Sequence, residues 1–279
     1  MKLKEAIAAE IEKSNKGKPK NKYQTQSQID GNNSLETMII KKKLDSLLYC
    51  KKNPKKELEF IEQMFTRGTG DEIRKGLHAS AIIVPDSSFC LREQVLSLLF
   101  LPNEEKMLDV DLLKIFEEGN AVHEKWQRLF LRGELCEPLD LDRTRYSAHF
   151  RLSFTPDAIV TINDIKYVVE IKSMNTMSFG KAITHPSGVK QLQLYMHETG
   201  IHRGFVLAED KNTQRTKIFL EHYEPEKVAL SLGRLFDINA MVDEKTIPHK
   251  VCTKLECKRA KNCRMNNACF NIGIGRIKF

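Results

Sequence analysis

The chain has 279 residues, 41% of them apolar and 29% charged, with a formal net charge of +8. That is enough to bury a sizeable core, and no run approaches the roughly 18 apolar residues of a membrane-spanning helix. The opening MKLKEAIAAEIEKSNKGK is charged throughout rather than built like a secretory leader, so a globular, cytoplasmic protein is the expectation. Charge is unevenly spread. Residues 1–60 carry fourteen Lys/Arg against eight acids and residues 250–279 carry eight against one, which leaves the middle at net −5. Basic ends around an acidic centre suit a protein that holds a polyanion and positions cations between them. For the N-terminal end, solvated lysines are the simpler account.

In chain order, residues 1–14 have the pattern of a short amphipathic helix, and the polar, aperiodic stretch to residue 33 reads as a linker. Residues 1–33 thus form a basic N-terminal segment. From 34 to 74 the region reads as helical. Met38, Ile39, Leu44, Leu47 and Leu48, then Leu58, Ile61 and Phe65, recur at helical spacing, with a break near Asn53-Pro54. A third helix, capped by Asp86, Ser87 or Ser88, should carry Cys90 in its first turn, where the helix dipole favours a thiolate.

The segment Asp109–Arg132 predicts a long helix with Leu112, Leu113, Phe116, Val122, Trp126, Leu129 and Phe130 as its buried stripe. His123 stands out on it, one turn after Gly119. Alone it would be an ordinary core or surface histidine, since a ligand role needs partners from elsewhere.

Those partners follow. The runs Phe154–Ile162 and Ile165–Lys172 flank Asn163-Asp164, the signature of a hairpin with a two-residue turn. That turn sets Asp157 opposite Glu170, with Cβ atoms about 4.5–5.5 Å apart on one face. Alternation puts Lys172 on the same face as Glu170. An isolated E-x-K is usually a surface ion pair. Two facing carboxylates, however, destabilise a sheet unless a cation lies between them, and hard oxygen ligands favour Mg²⁺ or Mn²⁺. Lys172 is then placed to steady an attacking water or the charge developing on a phosphoryl group.

The polar stretch MNTMSFGKAITHPSG reads as a loop. After it, VKQLQLYMHETG predicts a short helix ending at Gly200, with Gln191 and Tyr195 four apart on one side. HRGFVLAED and TKIFLEHY read as a further strand pair, and a long amphipathic helix follows from Pro225 to Val242.

The ordered set His123, Pro156-Asp157, Glu170-x-Lys172 and Gln191-x-x-x-Tyr195 resembles the PD-(D/E)XK nuclease superfamily, in its RecB-like exonuclease branch, over roughly residues 75–270. The resemblance implies an α/β fold of the restriction-endonuclease type, a central mixed sheet flanked by helices, with its nuclease core over 75–249. It implies Mg²⁺- or Mn²⁺-dependent hydrolysis of DNA phosphodiesters. His123, Asp157, Glu170 and the Ile171 backbone carbonyl would bind metal, Lys172 would assist the attacking water, and Gln191 and Tyr195 would support the site and the DNA. One departure is the long polar stretch between Lys172 and Gln191.

The cysteines are the second signal. Cys50 and Cys136 read as ordinary thiols. Cys252, Cys257, Cys263 and Cys269 crowd into 18 residues, a density that argues for metal over disulfides in a reducing compartment. Their spacing lacks the C-x2-C of structural zinc knuckles and is compatible with an iron–sulfur cluster. It is also similar to the subset of RecB-like nucleases, related to the AddB nuclease domain and the CRISPR-associated exonucleases, in which a 4Fe-4S cluster joins one early cysteine to three late ones. By that resemblance Cys90, Cys257, Cys263 and Cys269 form a cluster lobe with the basic segment 250–279, and Cys252 is the alternative to Cys257 or Cys269. The expected activity is therefore that of a small DNA exonuclease, of the kind found in phage or CRISPR-linked settings. It would act on single-stranded ends, alone or with helicase or recombination proteins. The alternative is a non-catalytic nucleic-acid-binding or recombination subunit with an iron–sulfur or zinc site.

Overall fold

The computed structural model describes residues 34–51, 53–66, 76–100, 110–273 and 275–276. The helix and linker expected over 1–33 lie outside these. The elements in order are α1 (Leu35–Ser46), a 3₁₀ turn (Leu47–Tyr49), α2 (Pro54–Thr66), β1 (Leu77–His78), α3 (Ala79–Ile82), α4 (Leu91–Leu99) and α5 (Val110–Arg132). A 3₁₀ turn (Pro138–Asp140), β2 (Arg145–Ser147), β3 (Leu152–Phe154), β4 (Ala158–Ile162), β5 (Ile165–Met174), α6 (Thr176–Lys181) and α7 (Pro186–Thr199) follow. Last come β6 (Arg203–Asp210), β7 (Thr216–His222), α8 (Pro225–Asp243), β8 (Thr246–Ile247), α9 (Lys258–Asn262), α10 (Asn266–Asn271) and β9 (Gly275–Arg276). The protein is mixed α/β. No helix among the described residues is long and apolar enough to cross a membrane.

The chain forms two compact, interleaved units. The first takes residues up to Ile61 together with Ala121–Arg143 and Pro156–Leu230, and holds a four-stranded sheet in the order β4-β5-β6-β7. β4 and β5 are antiparallel, β5 and β6 parallel, β6 and β7 antiparallel. The β4–β5 turn comes from Asn163 and Asp164, both at positive φ (50° and 62°), the conformation a type I′ hairpin turn needs and Asn and Asp tolerate best. The turn fixes the register, Ile162 against Ile165 through Ala158 against Val169.

Alternation along β5 then divides its side chains. Val169 and Ile171, with Phe205 and Leu207 of β6, enter one core with Ile40, Leu44 and Leu47 near α1, Phe60 of α2, and Val122, Trp126 and Phe130 of α5. Glu170 and Lys172 take the other face, which α7 covers by packing on β5 and β6. Gly188 permits that approach, since a Cβ there would lie 3.2 Å from a Val206 methyl and 2.9 Å from the His185 ring. Gly200 ends α7 in the left-handed conformation, as a helix stop requires.

The second unit comprises Glu62–Asn120, Thr144–Thr155 and Ser231–Phe279. It holds a three-stranded sheet, β1-β3-β2, and the β8–β9 pair. Here α4 packs against α10, β1 and β8, bringing Cys90 near the C-terminal cysteines. Arg234 ties this unit together from α8. It donates to the Ile82 and Val84 carbonyls, pairs with Asp86 at 2.5 Å and lies over the Phe89 ring.

Several expectations need correction. Phe154 is not the start of the Asp157 strand. It ends β3, in another sheet, because Thr155-Pro156-Asp157 breaks the run and Pro cannot donate to a ladder. Met38, Ile39 and Leu48 face solvent, while Ile40, Leu44 and Leu47 carry the buried stripe. Leu113 and Phe116 are exposed too, whereas Val122, Trp126, Leu129 and Phe130 of α5 are buried. Cys90 is the N-cap of α4 rather than a first-turn residue. The stretch expected to be a loop contains α6, capped by Asn175 and closed by the Lys217 ammonium on the Phe179 and Ala182 carbonyls.

Candidate metal centre and cysteine pocket

The first unit gathers the charged residues singled out by sequence. Asp157 lies one position before β4, so in the hairpin register it falls opposite Glu170, as expected. Its carboxylate has two partners. Oδ2 accepts from the Ile171 backbone N–H at 2.6 Å and Oδ1 lies 3.1 Å from His123 Nδ1. A strand residue sends its N–H and C=O out along the same edge, so the Ile171 carbonyl also leaves toward the Asp157 side.

Asp157 is further fixed through its backbone. Its carbonyl accepts from Gln127 Nε2 at 3.0 Å and from the Asp142 N–H at 3.1 Å. Gln127 is buried and stands one helical turn after His123 on α5. One helix therefore supplies both the imidazole and the clamp that holds its carboxylate partner. Gln127 was missed in the sequence. The available signal was its i+4 spacing from His123.

Glu170 is 1% exposed. Its Oε1 pairs with Lys172 Nζ at 2.5 Å, while Oε2 is buried with no hydrogen-bond partner among the described residues. Burial first, and then the charge of Asp157, raise the Glu170 carboxyl above its usual range against the pull of Lys172 and His123. Burial works against a charged His123 ring and a charged Lys172 ammonium. The hydrogen bond and charge of Asp157, with the charge of Glu170, outweigh it for His123, and the charge and hydrogen bond of Glu170 outweigh it for Lys172, so both are raised. Two carboxylates thus share the site with two cationic side chains. Protons and an ammonium supply the positive charge that the facing acids demand.

From Lys172 the network runs on to α7. Lys172 Nζ donates to Gln191 Oε1 at 3.3 Å, and Gln191 Nε2 donates to the buried Tyr195 hydroxyl at 2.7 Å. All six polar side chains named from the sequence are therefore brought together. His185 is a further neighbour that sequence reading passed over. It caps α7 by accepting from the Gly188 N–H, and burial, then the nearby charge of Lys172, lower it.

The second unit gathers the cysteines. A pocket is lined by Cys90, Cys252, Cys263 and Cys269, with Glu93 and Arg259 among its polar neighbours. Cys257, expected in the set, is not among the lining residues. It accepts from the Cys252 thiol and from the Ala260 N–H, capping α9, so the pocket takes Cys252 where Cys257 was expected. Burial raises Cys90 and pushes Cys263 up to about 12, the reverse of the thiolate expected at Cys90 from the helix dipole. Desolvation there outweighs the Glu93 backbone N–H that donates to the sulfur. Cysteines bind a soft metal as thiolates, only with loss of their protons.

Among the described residues, no group of three or more His, Cys, Asp or Glu side chains closes around one point so as to hold an ion. The side chains instead pair with one another. Even so, the donor chemistry fits two different guests. The orphaned Glu170 oxygen, with Asp157 and His123, suits a hard divalent cation, and the four sulfurs suit a soft one.

No protein-family model matches the chain, and no curated protein matches it. Among solved structures it is similar to the crystal structure of SSO0001, at 15% identity and a TM-score of 0.42, over 85% of this chain and 98% of that one. Likeness at that level carries no argument about function.

Proposed function

We propose that the chain is a metal-dependent deoxyribonuclease of the PD-(D/E)XK type, with a restriction-endonuclease-like sheet and a separate thiolate-bound metal cluster. The observation that carries the reading is the buried Glu170 carboxylate. One of its oxygens has no partner among the described residues, and a second carboxylate faces it in register. A fold gains nothing by desolvating such a pair for its own sake.

In this reading His123, Asp157, Glu170 and the Ile171 carbonyl hold Mg²⁺ or Mn²⁺. The bound ion supplies Lewis acidity, lowering the pKa of water and neutralising charge that builds on phosphoryl oxygens. The rest falls to the chain. Lys172, half-buried and tethered to Glu170, presents a fixed ammonium where the attacking water and the scissile phosphate meet. Gln191 holds that ammonium against α7, and Tyr195 holds Gln191. Asp157 keeps His123 oriented through Nδ1, leaving Nε2 as the nitrogen for a cation. The basic segment 250–279 suits a polyanionic, single-stranded substrate.

The four pocket cysteines, Cys90, Cys252, Cys263 and Cys269, would hold the cluster. Four thiols around one pocket match a 4Fe-4S group, and iron and sulfide analysis separates that from zinc. The test of the catalytic half is digestion of end-labelled single-stranded DNA with Mn²⁺ or Mg²⁺ by the wild type and by Glu170→Gln. Shortening products from the wild type alone support the reading. Equal background rates in both proteins remove it.

A further inference from the structure

Arg92 is the largest fully buried side chain among the described residues, at 1% exposure. A guanidinium stays charged at any pH a protein meets, and a buried charge needs an opposite one. Arg234, in the same unit, obeys that rule through Asp86. Arg92 does not.

Its hydrogen bonds go to neutral carbonyls. Nη1 donates to Pro248 O at 2.5 Å, and Nη2 donates to Cys269 O at 2.9 Å, Ile272 O at 2.7 Å and Gly273 O at 3.4 Å. No carboxylate pairs with it among the described residues. The remaining donor, Nε, points at the Cys269 sulfur at 3.2 Å. Of the described groups that accept from Arg92, that sulfur is the one able to carry a negative charge.

We propose that Arg92 is the counter-charge of a metal–thiolate centre in the cysteine pocket. It fixes the orientation of the Cys269 sulfur and sets the electron affinity of the group bound there. The inference rests on the cluster reading above, but it concerns a residue that donates no ligand. Its position follows from sequence. Arg92 lies two residues after Cys90 at the start of α4, so the helix that delivers one sulfur also delivers the cation to another. The carbonyls it gathers flank Cys269 and the chain on either side of the pocket, which makes the same guanidinium a clamp for the cysteine-bearing backbone. Glu93, which accepts from the Cys263 thiol, and Arg259 also face the pocket. They are opposite in sign, so among the described residues Arg92 remains a buried charge without a carboxylate partner.

A cation beside an anionic cluster favours its reduced, more negative form. Removing the charge should therefore make reduction harder, whereas a purely structural clamp would leave the potential alone. The experiment compares anaerobically isolated wild type, Arg92→Lys and Arg92→Gln for iron and sulfide content, midpoint potential by redox-poised EPR, and rate of metal release to a chelator. The expected result is at least a tenfold fall in the reduced-to-oxidised ratio of Arg92→Gln at fixed potential, about 59 mV for one electron. Arg92→Lys should lie close to the wild type in potential while releasing metal faster.

Equal potentials in wild type and Arg92→Gln overturn the inference and leave the cluster reading standing. A wild type without iron and sulfide on these cysteines overturns both. Should Arg92→Gln fail to accumulate as folded protein, guanidinium ¹⁵N labelling of the wild type takes its place. Pulsed EPR of the reduced cluster should then show a nitrogen coupling from Nε, and absence of that coupling overturns the assignment.

Discussion

The Ile171 amide donates to Asp157 Oδ2 at 2.6 Å, so a side-chain carboxylate continues the β4–β5 ladder one rung beyond its last backbone pair. Asp157 therefore has two jobs that separate by mutation. Asp157→Ala strands the buried Ile171 N–H, at a cost of about 1–3 kcal/mol. Asp157→Asn keeps an acceptor for it and should melt closer to the wild type. Both lose the charge a divalent cation needs, and activity should fall by about 10²-fold or more in each. Thermal melts beside a nuclease assay check this, and an active Asp157→Asn would remove Asp157 from the metal set.

Glu170 gives the pH prediction. Its folded pKa is raised, to about 8 from an ordinary 4.5, by burial and then by Asp157. The native state therefore holds a proton that the unfolded chain releases. Stability tied to this group is complete below pH 4.5 and is lost as pH rises toward 8, with a slope of up to about 1.4 kcal/mol per pH unit. The difference in unfolding free energy between wild type and Glu170→Gln should carry that slope without metal. It should flatten when Mn²⁺ is added, because the ion favours the carboxylate. A difference independent of pH would mean that Glu170 is charged in the bare protein.

In the proposed metal site, Lys172 and a divalent cation would compete for the Glu170 carboxylate. In Lys172→Met, Glu170 loses its partner at 2.5 Å, so Mn²⁺ binding measured by calorimetry should be unchanged or tighter. Turnover should nevertheless fall by about 10²–10⁴-fold, the range for loss of a positioned acid–base or charge-stabilising group. Weaker Mn²⁺ binding would place the lysine in the metal shell instead.

Much of the charged site was legible because one short hairpin determines it. Asn163-Asp164 fixes the turn, the turn fixes the register, and the register sets Asp157 against Glu170 without reference to the rest of the chain. What stayed hidden depends on contacts distant in sequence. Gln127 reads as an ordinary polar helix residue until Asp157 O is found beside it. Phe154 looks continuous with the next strand, yet belongs to another sheet. On α5 the periodicity at Leu113 and Phe116 has the form of a buried stripe, but periodicity shows only that a face exists, and here nothing among the described residues covers it.

Gln127 holds the Asp157 backbone, and under the proposed function it should act as a positioning residue. Gln127→Ala leaves the ligand set intact and removes the clamp on the Asp157 carbonyl. The expected cost is about 1–2 kcal/mol of stability, with roughly tenfold weaker Mn²⁺ binding. Saturating Mn²⁺ should restore most of the activity. If turnover stays low at saturation, Gln127 acts on the chemical step and not through Asp157.

The cysteine pocket separates two neighbours five residues apart. Cys252 lines it, whereas Cys257 lies outside and caps α9 by accepting from the Ala260 N–H. Serine keeps the capping function, since its hydroxyl is among the better N-caps, so Cys257→Ser should retain wild-type iron and melting temperature. Cys252→Ser should lose both, because a metal joining Cys90 to the C-terminal cysteines closes a loop of more than 150 residues. In the chain-entropy account a closure of that length is worth about 4–5 kcal/mol. Iron content and thermal melts of the two variants decide between them. The opposite pattern, with iron lost from Cys257→Ser and kept in Cys252→Ser, would return Cys257 to the ligand set and require α9 to turn its first residue into the pocket.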